Sequence, residues 1–316
     1  MKLSMNGLVV ALGLSIVGSA FAGDAYQDIF DSVSQSRMQK LLLDMTGSNP
    51  VTVQGRTFRI TDRYLPASKA NFRAYWRAYY EYLGLKVTEQ AYKTRYNLEA
   101  QGHNMEAILP GESADSVIII VHYDSMGPHG SDNEAVDDDM TGMAMQMETA
   151  RLLLQHAGKL HYTVRFVAAD YEEWGALEGA RVYAKSIAAL SRANGFTIAA
   201  GIDDEQSGWK QGADKFDIFD CGGRTNSRDL GNLMAATAKT YGHLDTVQGC
   251  MGQNSDHYAL WEIGVKTVVF SEHNPFNNPH FDKEGNDTYA LIAQDYFFQI
   301  AQVGVAFAAK VVGVSP

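Results

Sequence analysis

The sequence predicts an α/β fold: a three-layer αβα sandwich around a mixed, mostly parallel central sheet. Two observations predict it. Short β-branched runs, of which Val117-Ile118-Ile119-Ile120-Val121 is the clearest, read as strands buried on both faces. Stretches of helical period alternate with such runs along the chain, the pattern of a sheet covered by helices on both sides. No repeat, low-complexity linker or composition break interrupts the 316 residues, so a single domain is the simplest organisation.

The elements follow in order. Met38, Leu41, Leu42 and Leu43 recur at helical spacing within residues 32–44, and Thr46-Gly47 ends that helix. Residues 71–85 form a second amphipathic helix, rich in Trp and Tyr. Strands are expected at 85–92 and 104–109, before the turn signal Pro110-Gly111, and at 116–122. A helix at 140–156, a strand at 162–168 and a helix at 177–190 come next. The strand at 196–203, the helix at 227–241, the strand at 266–271 and a closing helix at 289–312 complete the chain.

The first residues read as an export signal. Met1 and Lys2 precede an apolar stretch from Gly7 to Val17, broken only by Ser15, and Ala20-Phe21-Ala22 is a small-x-small cleavage site. Residues 1–22 are therefore expected to be a signal peptide and 23–316 the mature domain, secreted or periplasmic. The apolar stretch falls short of the ~20 residues a spanning helix needs, and no later segment is apolar enough, so no membrane anchor is expected in the mature form. The formal net charge of −11 repels phosphate backbones and argues against nucleic acid as a partner. The only cysteines, Cys221 and Cys250, are either a bridge, as an oxidising compartment allows, or two buried thiols. Two cysteines cannot build a Cys-rich zinc site, so any metal relies on His and carboxylate.

Such residues gather at the expected strand ends, where sites form in open α/β sheets. His122-Tyr123-Asp124 ends one strand: an imidazole that can ligate through one nitrogen, with a carboxylate able to take the N–H of the other. Asp137-Asp138-Asp139 opens the next helix. One Asp there suits the helix dipole; three adjacent carboxylates repel one another unless a cation is near. Asp170 and Glu172-Glu173 follow the strand at 162–168. The strand that begins at 196 ends in Asp203-Asp204-Glu205, and Ser255-Asp256-His257 and Asn278-Pro279-His280 lie downstream. Each cluster alone is more simply a helix start or a loop polar group; their coincidence at four successive strand ends is not.

This set, in this order, resembles the M28 zinc aminopeptidases, and most of all the secreted bacterial leucyl aminopeptidases. The likeness runs from about Asn104 to Thr288. It implies the zinc-dependent exopeptidase fold, two zinc ions per chain and hydrolysis of the N-terminal residue of peptides or proteins with a free N-terminus. Carried over by position, His122 and Asp203 bind one zinc, Glu173 and His280 the other, and Asp138 bridges them. Glu172 is the general base and Asp124 orients His122. The family usually has Met after the fourth ligand. Here Asp204 follows Asp203, so Asp204 is the alternative, and Gly201-Ile202-Asp203 favours the first. Trp174, Tyr258 and Phe276 lie near the motifs as candidate pocket walls.

Two rivals remain. A glutaminyl cyclase resembles the same family and works with one zinc; the aspartate triplet and Ser255-Asp256 look more like the aminopeptidase version. A binding module that has lost catalysis is the rival of another class, and the competent residue at every ligand and base position argues against it. A serine hydrolase is disfavoured, because the sequence has no Gly-x-Ser-x-Gly elbow.

Overall fold

The computed structural model describes residues 24–315 apart from 48, 97–99, 128–133, 175–176, 224 and 281–285. The expected signal peptide lies outside the described residues. The helices are α1 (Ala25–Asp31), α2 (Gln35–Met45), α3 (Pro66–Tyr82), α4 (Thr141–Leu154), α5 (Glu178–Asn194), α6 (Arg228–Thr237), α7 (His257–Glu262) and α8 (Gln294–Val312). A hairpin of β1 (Val51–Val53) and β2 (Arg56–Phe58) stands apart from the main sheet. That sheet holds β3 (Lys86–Lys93), β4 (Gln101–Leu109), β5 (Ser113–His122), β6 (Tyr162–Ala169), β7 (Ile198–Glu205), β8 (Lys215–Cys221), β9 (Asp245–Cys250) and β10 (Thr267–Glu272).

Local chemistry sets many of the boundaries. Asp24 caps α1 by accepting from the Tyr26 N–H at 3.0 Å, and Ser34 caps α2 by accepting from Arg37. Pro66 opens α3, where its missing N–H costs nothing. Gly195 ends α5 in the left-handed region at φ 72°.

Eight strands run in the order β3-β4-β6-β5-β7-β10-β8-β9. The middle four, β6-β5-β7-β10, are mutually parallel; β3 and β4 on one side and β8 on the other pair antiparallel, and β9 lies parallel to β8. The expected mixed, mostly parallel sandwich is therefore present. β5 shows how it is covered: Val117, Ile119 and Val121 enter the large core with α2, α3, α4 and α8, while Ile118 and Ile120 enter a smaller core with α5 and α7. A strand buried on both faces must be apolar at every position, which is why this run was so legible.

From β5 the chain passes through α4 to β6 on one side, then through α5 to β7 on the other. Connections diverge there and open a crevice above the carboxyl ends of the central strands. β7 runs two residues beyond the expected end: Asp203, Asp204 and Glu205 pair with Val269, Phe270 and Ser271 of β10. β8, β9, α1, α7 and the hairpin were not read from the sequence.

A Cys221–Cys250 disulfide joins the ends of β8 and β9. The Met251 N–H donates to the Cys221 carbonyl at 2.8 Å, so the bridge also fixes the start of the segment after β9. No helix of the described residues is long and apolar enough to cross a membrane. The cysteines stand 29 residues apart, and closing a loop of that size stabilises a fold by about 3–4 kcal/mol in the chain-entropy account. Replacing both with Ser should lower the unfolding free energy in urea by about 2–4 kcal/mol, and reductant should bring the wild type down to the level of the variant without lowering the variant further.

Candidate metal centre

Three strand ends, those of β5, β6 and β7, and the segment before α4 build the site. β5 delivers His122, and residues 123–125 follow directly after its end. The imidazole Nδ1 donates to the Asp124 carbonyl oxygen at 3.2 Å, because a carbonyl can only accept. The Asp124 carboxylate lies farther off, 3.8 Å from the same nitrogen. The carboxylate holds something else: it accepts the backbone N–H groups of Glu172 at 3.1 Å and Glu173 at 3.3 Å. It is the Asp124 main chain, not the carboxylate expected to orient it, that holds His122, while the side chain clamps the Glu172-Glu173 turn. With Nδ1 committed, Nε2 is the nitrogen that faces the other carboxylates.

The three aspartates before α4 point three ways. Asp137 turns from the centre and accepts from Gly208 N–H at 2.6 Å and from Asn278 at 2.9 Å. Asp138 places Oδ1 3.0 Å from His122 Nε2 and Oδ2 2.8 Å from Gln206 Nε2. Asp139, joined to Asp138 by a cis peptide bond, accepts from the Gly142 N–H at 2.9 Å. The Asp287 carboxylate receives the N–H groups of Asp137 and Asp138, which fixes the segment from the opposite side. Gly142 is required where α4 begins: a Cβ there would lie 2.6 Å from both Asp139 Oδ2 and the Asp204 carbonyl.

Beyond β6 the chain turns sharply. Tyr171 takes a left-handed φ of 61°, a conformation unfavourable for a bulky residue. Its neighbours hold it there. Asp170 is pinned by the Lys69 ammonium at 2.6 Å, which also lies 3.7 Å from the Tyr171 ring centre. The Asp170 carbonyl accepts from Tyr92 Oη and from the Gly179 N–H, each at 3.0 Å. The turn presents Glu172 and Glu173 to His122, and Met126 N–H caps Glu173 Oε1 at 3.0 Å.

Two groups of donors converge on the same imidazole. One ligand atom each from His122, Asp138 and Glu173 lie within 4.8 Å of one another, and so do atoms from His122, Asp139 and Glu205. Asp203 belongs to neither. Its Oδ2 accepts the His257 N–H at 2.8 Å, and the His257 ring lies beside it. Glu205, two residues on and on the same face of β7, reaches within 3.7 Å of His122 Nε2 and accepts from the Ser255 hydroxyl. The residue beside His122 is therefore Glu205 rather than the expected Asp203, because β7 continues for two more residues before its end. Asp204, the alternative, points to the opposite face and accepts from Ser207. His280 also stands outside both groups. Its N–H donates to Asn278 and its ring packs edge-on to Trp209, 6.3 Å between centres. Of the candidate pocket walls, Phe276 lines the cavity. Trp174 stacks between Tyr64 and Tyr96, and Tyr258 faces a separate hollow with Arg181 and Trp261.

So many buried carboxylates need a cation. Burial raises the pKa of Glu172, Glu173, Asp139, Asp204, Glu205 and Asp256 well above the usual carboxylate range, and neighbouring acids add to it. Burial lowers that of His122, but the Asp138 hydrogen bond and the Glu205 and Glu172 charges outweigh it, leaving the imidazole well above its ordinary value. Buried oxygens of Asp139, Asp203, Asp204 and both of Asp256 have no hydrogen-bond partner. Unpaired buried anions are costly, and a divalent ion held by imidazole and carboxylate oxygens would relieve those beside His122. The set has no thiolate and opens onto a cavity of about 360 Å³, the pattern of a zinc site with exchangeable positions rather than a closed structural one.

The chain belongs to peptidase family M28, whose profile matches residues 104–308. A probable leucine aminopeptidase of Trichophyton verrucosum (strain HKI 0517) is 25% identical over 215 residues, covering 65% of this chain. The chain spans little more than half of that relative, whose length is matched over 56%. Among solved structures, the LapA aminopeptidase of Legionella pneumophila superimposes with a TM-score of 0.73 at 16% identity, over 91% of this chain and 74% of that one. The aminopeptidase from Aneurinibacillus sp. strain AM-1 gives 0.70 at 14%, over 93% and 98%. A glutaminyl cyclase from an Acidobacteriales bacterium gives 0.69 at 16%, over 88% and 94%.

The turn that carries Glu172 and Glu173 rests on a buried ion pair. Lys69→Met should destabilise the protein by about 3–5 kcal/mol by leaving Asp170 uncompensated. Lys69→Met combined with Asp170→Asn should recover part of that loss, as read from urea unfolding of the four proteins in the double-mutant cycle.

Proposed function

We propose that this chain is a zinc aminopeptidase with two metal positions, removing the N-terminal residue of peptides or proteins whose α-amine is free. One observation carries the reading: a buried ring of carboxylates around His122 Nε2, at the carboxyl ends of the central strands of an M28 chain. His122 and Glu205 serve one position and Glu173 the other, with Asp138 between them. His280 rests on the family resemblance alone.

Bound zinc supplies Lewis acidity, activating water at neutral pH and polarising the scissile carbonyl. The protein's own groups do the rest. Glu172 takes a proton from the attacking water and hands it to the leaving amine; burial, which favours its protonated form, suits it to both halves of that transfer. Asp124 keeps Glu172 in place through its backbone N–H. The excess of carboxylates attracts the α-ammonium of a substrate, and an acylated N-terminus forfeits that attraction. Met126, Leu177, Met251 and Phe276 give the cavity apolar walls, while Gln253 and Asn254 add uncharged polar ones. The disulfide supports export to an oxidising compartment.

The test uses aminoacyl-p-nitroanilides beside their N-acetylated forms. Free-amine substrates alone should be cleaved, with activity lost to a chelator and restored by zinc. No cleavage by folded, zinc-loaded protein would sink the reading. If substrates beginning with glutamine lose ammonia without hydrolysis, the activity is glutaminyl cyclisation instead. Glu172→Gln should keep its zinc and lose roughly 100- to 10,000-fold in kcat. Glu205→Gln should weaken zinc binding more than Asp203→Asn does, measured by competition with a chromogenic chelator; the reverse order would restore Asp203 as the ligand.

A further inference from the structure

A second cleft lies between α2, α3 and the β1–β2 hairpin, and it shares no lining residue with the cavity at the metal centre. Its volume is about 370 Å³, in the range of small-molecule pockets. Leu41 of α2 and Val51 and Val53 of β1 give it apolar walls, and α3 adds the rings of Tyr75, Tyr79 and Tyr82. Tyr75 is 1% exposed and packs edge-on to Phe58 of β2, 6.1 Å between ring centres. Its hydroxyl has no hydrogen-bond partner among the described residues, whereas the neighbouring hydroxyls of Tyr79 and Tyr80 donate to the Met147 carbonyl at 3.1 Å and to Gln146 at 3.0 Å. A buried hydroxyl left idle is costly, and this one can both donate and accept. Burial, with the Asp44 charge behind it, pushes the Tyr75 pKa well above its ordinary value, so the group stays neutral.

Charges of both signs stand beside that hydroxyl. Arg37, Lys40 and Asp44 follow one another along one face of α2, and all three line the cleft. Arg37 donates Nε to the buried Glu148 at 3.3 Å, which anchors its guanidinium. Lys40 reaches Asp44 at 2.6 Å, but the lysine side chain is 67% exposed, and a pair of this kind is weak enough for another ammonium to take its place. A neutral hydroxyl, an acid, two bases and an apolar wall within one small cleft match a zwitterion with an apolar body. We propose that this cleft binds a free α-amino acid with an apolar side chain, at a site separate from the metal centre. The ammonium of the ligand bonds to Asp44 and to the Tyr75 oxygen, its carboxylate to Arg37 and the released Lys40, and its side chain packs on Leu41, Val53 and Tyr79. The choice of ligand rests on the aminopeptidase reading above, since that reaction releases such molecules; the cleft itself does not depend on it.

The experiment dialyses the zinc-loaded full chain to equilibrium against radiolabelled L-leucine and measures leucine bound per chain. Circular dichroism checks folding, and cleavage of leucyl-p-nitroanilide checks the metal centre. Asp44→Asn and Tyr75→Phe should each weaken one equivalent of bound leucine roughly ten- to hundredfold, the worth of a lost hydrogen bond to a charged group, and leave both the cleavage and any leucine held at the metal centre unchanged. Asp44→Asn alters a residue at the edge of the fold and serves alone if Tyr75→Phe does not fold. 3-Methylbutylamine, which lacks the carboxylate, and N-acetyl-leucine, which lacks the ammonium, should compete for that equivalent far less well than leucine. Leucine binding left as it is by both substitutions would overturn the proposal by placing all of it at the metal centre, and no binding at millimolar leucine would overturn it as well. Equal competition by the amine would overturn it too, by showing that Arg37 and Lys40 hold no carboxylate. If the variant-sensitive equivalent is present but leucyl-p-nitroanilide is not cleaved, the site stands and the aminopeptidase reading fails.

Discussion

The crowding of carboxylates around one buried imidazole governs the rest of the molecule. Acids this deep are tolerable only if each finds N–H donors, a proton or a cation. Much of the surrounding backbone is spent on the first solution. Asp124 takes two main-chain N–H groups from the Glu172-Glu173 turn, Asp287 takes those of Asp137 and Asp138, and Asp137 takes that of Gly208. A carboxylate fixed this way becomes a strut, so the same charges that burden the fold also set its geometry. Glu272 uses the second solution. Burial and the neighbouring Asp137 push its pKa up to about 11, so at neutral pH it is a neutral acid that can share a proton with Asp137. Among the buried oxygens without a hydrogen-bond partner, that of Asp139 belongs to a donor group around His122 and is the one placed for the third.

Most of the scaffold could be read because its central strands are buried on both faces and so carry unbroken apolar runs. What escaped has physical reasons. β8 contains Asp217 and Asp220 within Lys215–Cys221, and β9 contains Gln248 and Gly249 on an edge, so neither shows the apolar run by which central strands were found. α7 has six residues, too few for a period to emerge. The end of β7 was placed two residues early because Asp203, Asp204 and Glu205 look like loop residues, yet they are the last paired residues of a central strand. At a metal site hydrophobicity ceases to mark where a strand stops.

The same ambiguity separated the residues that could be named from the roles they play. His122 at the end of β5, Glu172 and Glu173 on the turn after β6, and Asp138 before α4 stand together in the structure. Asp124 sits in the expected place with its carbonyl and carboxylate exchanged in duty. Glu205 was hidden behind Asp203 in a run of three acids. His280 hangs on a loop whose course no local pattern dictates.

β10 is the last strand in the sequence and one of the innermost in the sheet, inserted between β7 and β8. Until it arrives, β8 and β9 have no partner linking them to the strands made earlier. Glu205 and Gln206 are likewise without the strand that aligns them. A chain emerging from its N-terminus can assemble β3 to β7 early, but its chemistry must wait for residues near 270. Non-local pairing of this kind is slow, and a fragment ending before β10 lacks the strand that aligns Glu205 beside His122.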